Sequence, residues 1–176
     1  MSNLPLPTPR DPKLKGKRIP VKAGGVFEIP TPDGRFGYGV IIKGGGVPYV
    51  IILKRLHDVR ATIAELAHDD IAFVGWTMDA LIYHGRWTII GGGYPDRPDV
   101  PFPNFRVKVG GVTCTTDFTG KVLGPIRSDE VALLDQKWSR AAIAYQDALF
   151  ALHGLAEWDP TYDKLTAAYA RKRVTR

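Results

Sequence analysis

The chain of 176 residues holds a single cysteine, Cys114, and that scarcity excludes an internal disulfide framework and any zinc site built on thiolates. It fits a reducing compartment. No stretch approaches the ~18 consecutive apolar residues of a membrane span, and the N-terminus lacks the continuous apolar core of a signal peptide. A soluble, cytoplasmic protein is the expectation. The phosphate-loop pattern GxxxxGK[ST] is missing, Gly34, Gly37 and Gly39 do not follow the dinucleotide spacing, and no GxSxG turn presents a serine nucleophile.

Histidine is also sparse. His57-Asp58 and His68-Asp69-Asp70 have the residue types of a metal site without its spacing, since no HExxH-like pair puts two ligands on one helix face. Helix capping and solvation account for them; a hydrolase reading would need His57, Asp58, His68 and Asp69 to converge. His84 and His153 stand alone, and Cys114 lies in a strand-like TCTT run as a small buried thiol. No catalytic residue, metal or cofactor is expected.

Acidic residues are outnumbered, 18 against 24 basic ones, for a net charge of +6. Much of the excess is terminal. Lys13, Lys15, Lys17, Arg18 and Lys22 fall in an opening punctuated by Pro5, Pro7, Pro9, Pro12 and Pro20, while Arg171, Lys172, Arg173 and Arg176 close the chain. Residues 1–23 therefore read as an extended basic arm, either solvated or tracking phosphates.

What the chain has in quantity is core material: 44% hydrophobic against 24% charged residues suffices for one ordinary domain. Its organising stretch is VFEIPTPDGRFGYGVII, Val26 to Ile42, where Thr31-Pro32-Asp33-Gly34 separates two apolar runs as a hairpin turn. On the second arm Phe36, Tyr38, Val40 and Ile42 share one face, and Gly37 and Gly39 leave the other bare. Glycines so placed in a strand imply close packing or a bend.

Further strands are expected at Pro48–Leu53, with Val50–Leu53 buried on both faces, and at Ile71–Trp76, Arg86–Ile90, Phe105–Val109 and Val112–Thr116, with a short helix between Asp58 and His68 and a connector at 78–83. Ser128-Asp129-Glu130 followed by Val131, Leu134, Trp138, Ala141, Tyr145, Ala148 and Leu152 reads as one long helix ending at Gly154. Asp159-Pro160 opens a second, with Tyr162, Leu165 and Tyr169 on one face. The expected fold is α+β: a bent, barrel-like antiparallel sheet of 24–126, covered on one side by a C-terminal helical pair in 127–176.

Aromatic and arginine side chains concentrate where interfaces form. Glu28, Asp33, Arg35, Tyr38, Arg86, Trp87, Tyr94 and Arg97 are the candidate partner-binding residues, the alternative being that the rings are core and the arginines their solvated neighbours. A second reading is a nucleic-acid-binding module presenting Tyr38, Trp87 and Arg106.

Two blocks together, Gly25-Val26-Phe27-Glu28-Ile29-Pro30 through Asp33-Gly34-Arg35-Phe36-Gly37-Tyr38-Gly39 and Gly85-Arg86-Trp87-Thr88-Ile89-Ile90-Gly91, resemble the immunity protein 26 family of bacterial polymorphic toxin systems. The resemblance spans about residues 20 to 110 and leaves out the basic arm and the C-terminal helices. It implies a non-catalytic protein that binds and neutralises a cognate toxin domain, and no catalytic residue carries over. The positive net charge points to a toxin with an acidic surface.

Overall fold

The computed structural model describes residues 20–174. Most of the expected basic arm, and with it the proline-rich segment 1–19, lies outside them. Val26–Pro30 (β1) and Phe36–Lys43 (β2) form the hairpin in antiparallel register, Phe27 opposite Gly39 and Glu28 opposite Tyr38. Its turn is tied by side chains: Thr31 Oγ1 lies 2.5 Å from Asp33 Oδ1 and 2.7 Å from the Arg35 carbonyl, and Gly34 takes the positive φ of +86°.

Tyr49–Leu53 (β3) and Ile71–Trp76 (β4) extend this sheet on one side and Thr88–Gly91 (β5) on the other, in the order β4-β3-β2-β1-β5. Phe105–Val109 (β6), Val112–Thr116 (β7) and Val122–Pro125 (β8) form a second antiparallel sheet. The barrel-like closure expected from the sequence does not occur. β4 and β5 are opposite edges, and isolated bridges from Phe73 to Thr166 and from Thr77 to Arg140 occupy the outer edge of β4 with the C-terminal part of the chain.

The five-stranded sheet is buried on both faces rather than one. Phe27, Ile29, Ile41, Val50, Ile52 and Phe73 face Ala80–Tyr83 (α2) and Ala142–Leu152 (α3). Val26, Tyr38, Val40, Ile51 and Val74 face Ile63–Leu66 (α1), the 94–105 loop and Ala167–Arg171 (α4). This double burial is why β3 is an unbroken apolar run, with all five residues buried.

The bare face of β2 is where α3 seats. A Cβ on Gly37 would stand 2.5 Å from Leu149 Cδ2, and one on Gly39 would run into the Phe27 ring. Phe27 in turn stacks on Trp87 at 4.6 Å and 7°, and Trp87 Nε1 donates to Gln146 Oε1 of α3 at 3.2 Å. Close packing is thus the explanation for both glycines.

The long helix expected over 128–153 is realised only as α3, Ala142–Leu152. The cap signal at Ser128 starts a turn instead, in which Glu130, nine-tenths buried, accepts from Thr115 Oγ1 and from the Arg127 amide. Residues 135–141 then run extended, held by bonds from the Arg106 amide to the Asp135 carbonyl and from the Arg140 amide to the Trp76 carbonyl. These long-range bonds outcompete the helical spacing of Leu134, Trp138 and Ala141. The second helix is split into a 3-10 helix, Pro160–Leu165, and α4.

Candidate functional site

The turn of the β1–β2 hairpin projects a rim of paired charge. Asp33 Oδ2 accepts from Arg35 Nε at 2.7 Å, with both side chains one-third exposed. The Thr31 hydroxyl, followed by the Arg35 guanidinium and amide, holds the Asp33 carboxyl below the usual carboxylate range. Beside it Glu28, almost wholly buried on β1, accepts from Arg60 Nε at 2.9 Å and Nη2 at 3.3 Å. Arg60 is itself exposed, and its guanidinium also covers the Phe36 ring at 5.0 Å.

The remaining candidates divide by burial. Tyr38 and Trp87 are 0% and 1% exposed, so neither ring has surface with which to meet a partner. The Tyr38 hydroxyl accepts from the Ala61 amide at 3.0 Å and fixes the chain leading into α1. Tyr94 is buried, and its hydroxyl donates to the Leu66 carbonyl at 3.2 Å. Arg97 is committed internally, to the Asp69 carbonyl, the Tyr94 hydroxyl and the Asp99 carboxylate, and that last contact raises its pKa. Arg86 is exposed on the α2–β5 connection. Sequence reasoning grouped these residues by type, but burial leaves Asp33, Arg35 and Arg86 at the surface, with Glu28 reaching it only through Arg60.

Of the four residues a hydrolase reading required, two meet. His57 Nε2 lies 2.7 Å from Asp69 Oδ2, both groups buried, with the edge of Tyr38 at 5.5 Å from the His57 ring. Asp58 and His68 point to solvent as exposed residues, and the helix cap is Thr62, through a capping box with Glu65, rather than Asp58. The His57–Asp69 pair ties the segment after β3 to the start of β4, and among the described residues no serine, threonine or cysteine is bonded to it. Among the described residues no group of three or more His, Cys, Asp or Glu is arranged around a common point for a metal. No helix among them is long and apolar enough to cross a membrane.

The model of the family described as Immunity protein 26 matches residues 22–111, just over half of the chain. The chain belongs to the immunity protein 26 family. The matched region of this family member takes in the whole five-stranded sheet, α1, α2 and β6, and ends in the turn between β6 and β7. Both blocks that carried the resemblance lie within it, one forming the hairpin and the other leading into and forming β5. No curated protein and no solved structure matches the chain.

A patch outside the candidate list carries the aromatic and basic character that the sequence reading sought elsewhere. Phe118 stacks on Trp76 at the end of β4 and tilts against Phe102, and all three rings contact Tyr49, with centroid distances between 4.7 and 5.9 Å. Lys43, Lys137 and Arg140 lie on the rings of this patch and of the neighbouring Trp138. The sequence put Trp76 and Trp138 on core faces. The structure keeps Trp76 in the core at 7% exposed and leaves Trp138 partly buried against it, carried by the extended course of 135–141 rather than by a helix.

Proposed function

We propose that this protein is a non-catalytic immunity protein that binds a cognate bacterial toxin domain and blocks it by occupying its surface. The observation that carries the reading is the family match across the entire five-stranded sheet. The hairpin turn fits such a role: it is stiffened by its own hydrogen bonds and offers Asp33, Arg35 and Arg60 as placed charges, so little ordering cost falls on binding. Rigid presentation of polar groups on a hairpin turn is a binding device and needs no acid–base chemistry.

The experiment is co-expression with the toxin domain encoded beside the gene, in cells that the toxin otherwise kills. Survival together with co-purification of the two proteins is the expected result. Cell death with the immunity protein abundant and folded overturns the reading. Replacing Asp33 and Arg35 together by alanine should weaken the complex by about tenfold while leaving the circular dichroism spectrum unchanged.

A further inference from the structure

One surface away from the hairpin combines an open socket, placed cations and ring faces that hold them. The extended segment ahead of α3 is drawn against the end of β4, with the Arg140 amide donating to the Trp76 carbonyl at 3.0 Å and Thr77 Oγ1 to the Arg140 carbonyl at 2.9 Å. Between them lies a recess of about 310 Å³ lined by Val47, Trp76, Lys137, Trp138 and Ser139. Its outer wall, Val47, is 49% exposed.

One cation, Lys137, lines this socket, and two more stand over its aromatic walls. Lys137 Nζ stands 4.6 Å from the centre of the Trp76 ring and Lys43 Nζ 5.4 Å from the same ring, while the Arg140 guanidinium lies 3.9 Å over Trp138. Among the described residues none of the three is in an ion pair. Arg140 does exert a weak field on Asp159, whose carboxylate is engaged by the Thr161 amide. A cation over a ring is fixed in position without being neutralised, so its attraction for an anion is retained. Lys137 Nζ also donates to the Phe118 carbonyl at 3.4 Å, which fixes it without an ion pair. An apolar socket edged by fixed positive charge outside any ion pair is complementary to an apolar side chain flanked by carboxylates.

We infer that an acidic segment of a partner protein docks here, an aromatic or aliphatic side chain entering the recess and aspartates or glutamates meeting Lys43, Lys137 and Arg140. The inference rests on the immunity reading for the existence of a protein partner and adds a second contact surface, beyond the hairpin turn, and the chemistry that meets it. Val47 and Trp76 belong to the matched family region, whereas Lys137, Trp138 and Arg140 lie beyond it. The socket therefore forms only when the C-terminal extension is in place. A nucleic-acid strand fits less well, because base stacking requires open ring faces. Trp76 is only 7% exposed, with Phe118 stacked against it at 17° and Lys137 over its ring.

The test is calorimetric titration of the full chain with a synthetic peptide carrying glutamates around one phenylalanine. A peptide with lysines in place of the glutamates and a single-stranded oligonucleotide serve as comparisons. Binding of the acidic peptide alone, weakening as salt is raised, is expected. The double variant Lys43→Glu, Lys137→Glu should lose about tenfold or more in affinity at an unchanged melting temperature, and Lys137→Arg should retain binding. Equal binding of both peptides, preference for the oligonucleotide, or indifference to the double variant overturns the assignment. The neighbouring toxin separates this inference from the reading beneath it. Capture of that toxin equally by wild type and double variant removes the docking surface and keeps the immunity function. Acidic-peptide binding without toxin capture does the reverse.

Discussion

At the residue scale, Gly39 and Asp135 show how much of this fold rests on single positions. Gly39 is a glycine because Phe27 crosses it from the neighbouring strand and the Ile51 carbonyl closes the other side at 2.9 Å from any added Cβ. Gly39→Ala should cost about 1–3 kcal/mol in urea unfolding, since backbone cannot yield as a side chain can. Gly37 differs, because the atom in the way is the end of Leu149. Gly37→Ala and Leu149→Ala should each destabilise, and the double variant should lose less than the sum, the new methyl filling part of the space Leu149 vacates. Asp135 is held by Tyr169 Oη at 2.7 Å, Lys164 Nζ at 3.3 Å and Arg173 Nη1 at 3.5 Å. Burial raises its pKa, but the Tyr169 hydroxyl and the two cations outweigh that and leave it lowered. A carboxyl depressed in the folded state stabilises fully above the ordinary carboxylate pKa of about 3.9 and loses that contribution as the pH falls through its lower folded value. Asp135→Asn should therefore cost about 2 kcal/mol near neutrality and much less at pH values below that range, as read by urea unfolding at both.

At the scale of elements, α3 starts without a side-chain cap. Its N-cap is Ala141, exposed and already extended at φ −59° and ψ 140°. Ala141→Ser should stabilise the protein by about 1 kcal/mol, visible as a higher melting temperature, because the hydroxyl supplies the acceptor the first turn lacks. The same element shows what the sequence could and could not disclose. The strands β1 to β4, β6 and β7 were legible because short apolar or β-branched runs bounded by glycine and proline turns mark strands locally. The start of α3 was not, because Leu134, Trp138 and Ala141 have helical spacing while the hydrogen bonds that pull 135–141 into an extended path come from Trp76 and Arg106, distant in sequence. β8, with the pattern VLGP, carries no alternation and two well-exposed apolar residues, so only its pairing with β7 reveals it. Among the candidate site residues, Asp33 and Arg35 were readable from turn chemistry. The burial of Tyr38 and Trp87 was not, since it depends on α1 and α3 arriving from elsewhere in the chain.

At the scale of the whole molecule, the core of the matched family region is closed by residues from outside it. Ala142, Tyr145, Ala148 and Leu149 of α3, with Leu165, complete the core on the face of Phe27, Ile41 and Phe73. A chain cut to residues 20–126 would present that face to water. It should lose cooperative thermal unfolding and bind a hydrophobic dye, as fluorescence and calorimetry would show. The two sheets also differ in their relation to solvent. Val107, Val109, Val112, Val122 and Leu123 of the smaller sheet are each more than one-third exposed, while its other end is anchored by Phe105 under Arg173 at 5.5 Å. The guanidinium of Arg173 lies over the rings of Phe105 and Tyr169, which border its buried Nε where no hydrogen-bond acceptor is present.

The pair of hydrogen bonds joining Arg140 to Trp76 and Thr77 has a thermodynamic corollary. Whatever occupies the socket they form binds only the docked state of the extension, so occupancy and docking must raise one another by equal factors. A ligand present at a hundred times its dissociation constant would lower the undocked population by about a hundredfold. Amide protons of residues 135–141 would then exchange more slowly with deuterium, and a protease would find its cleavage sites there closed for longer. The C-terminal third of the chain would in this way report, by its resistance to opening, whether a partner is present on the sheet.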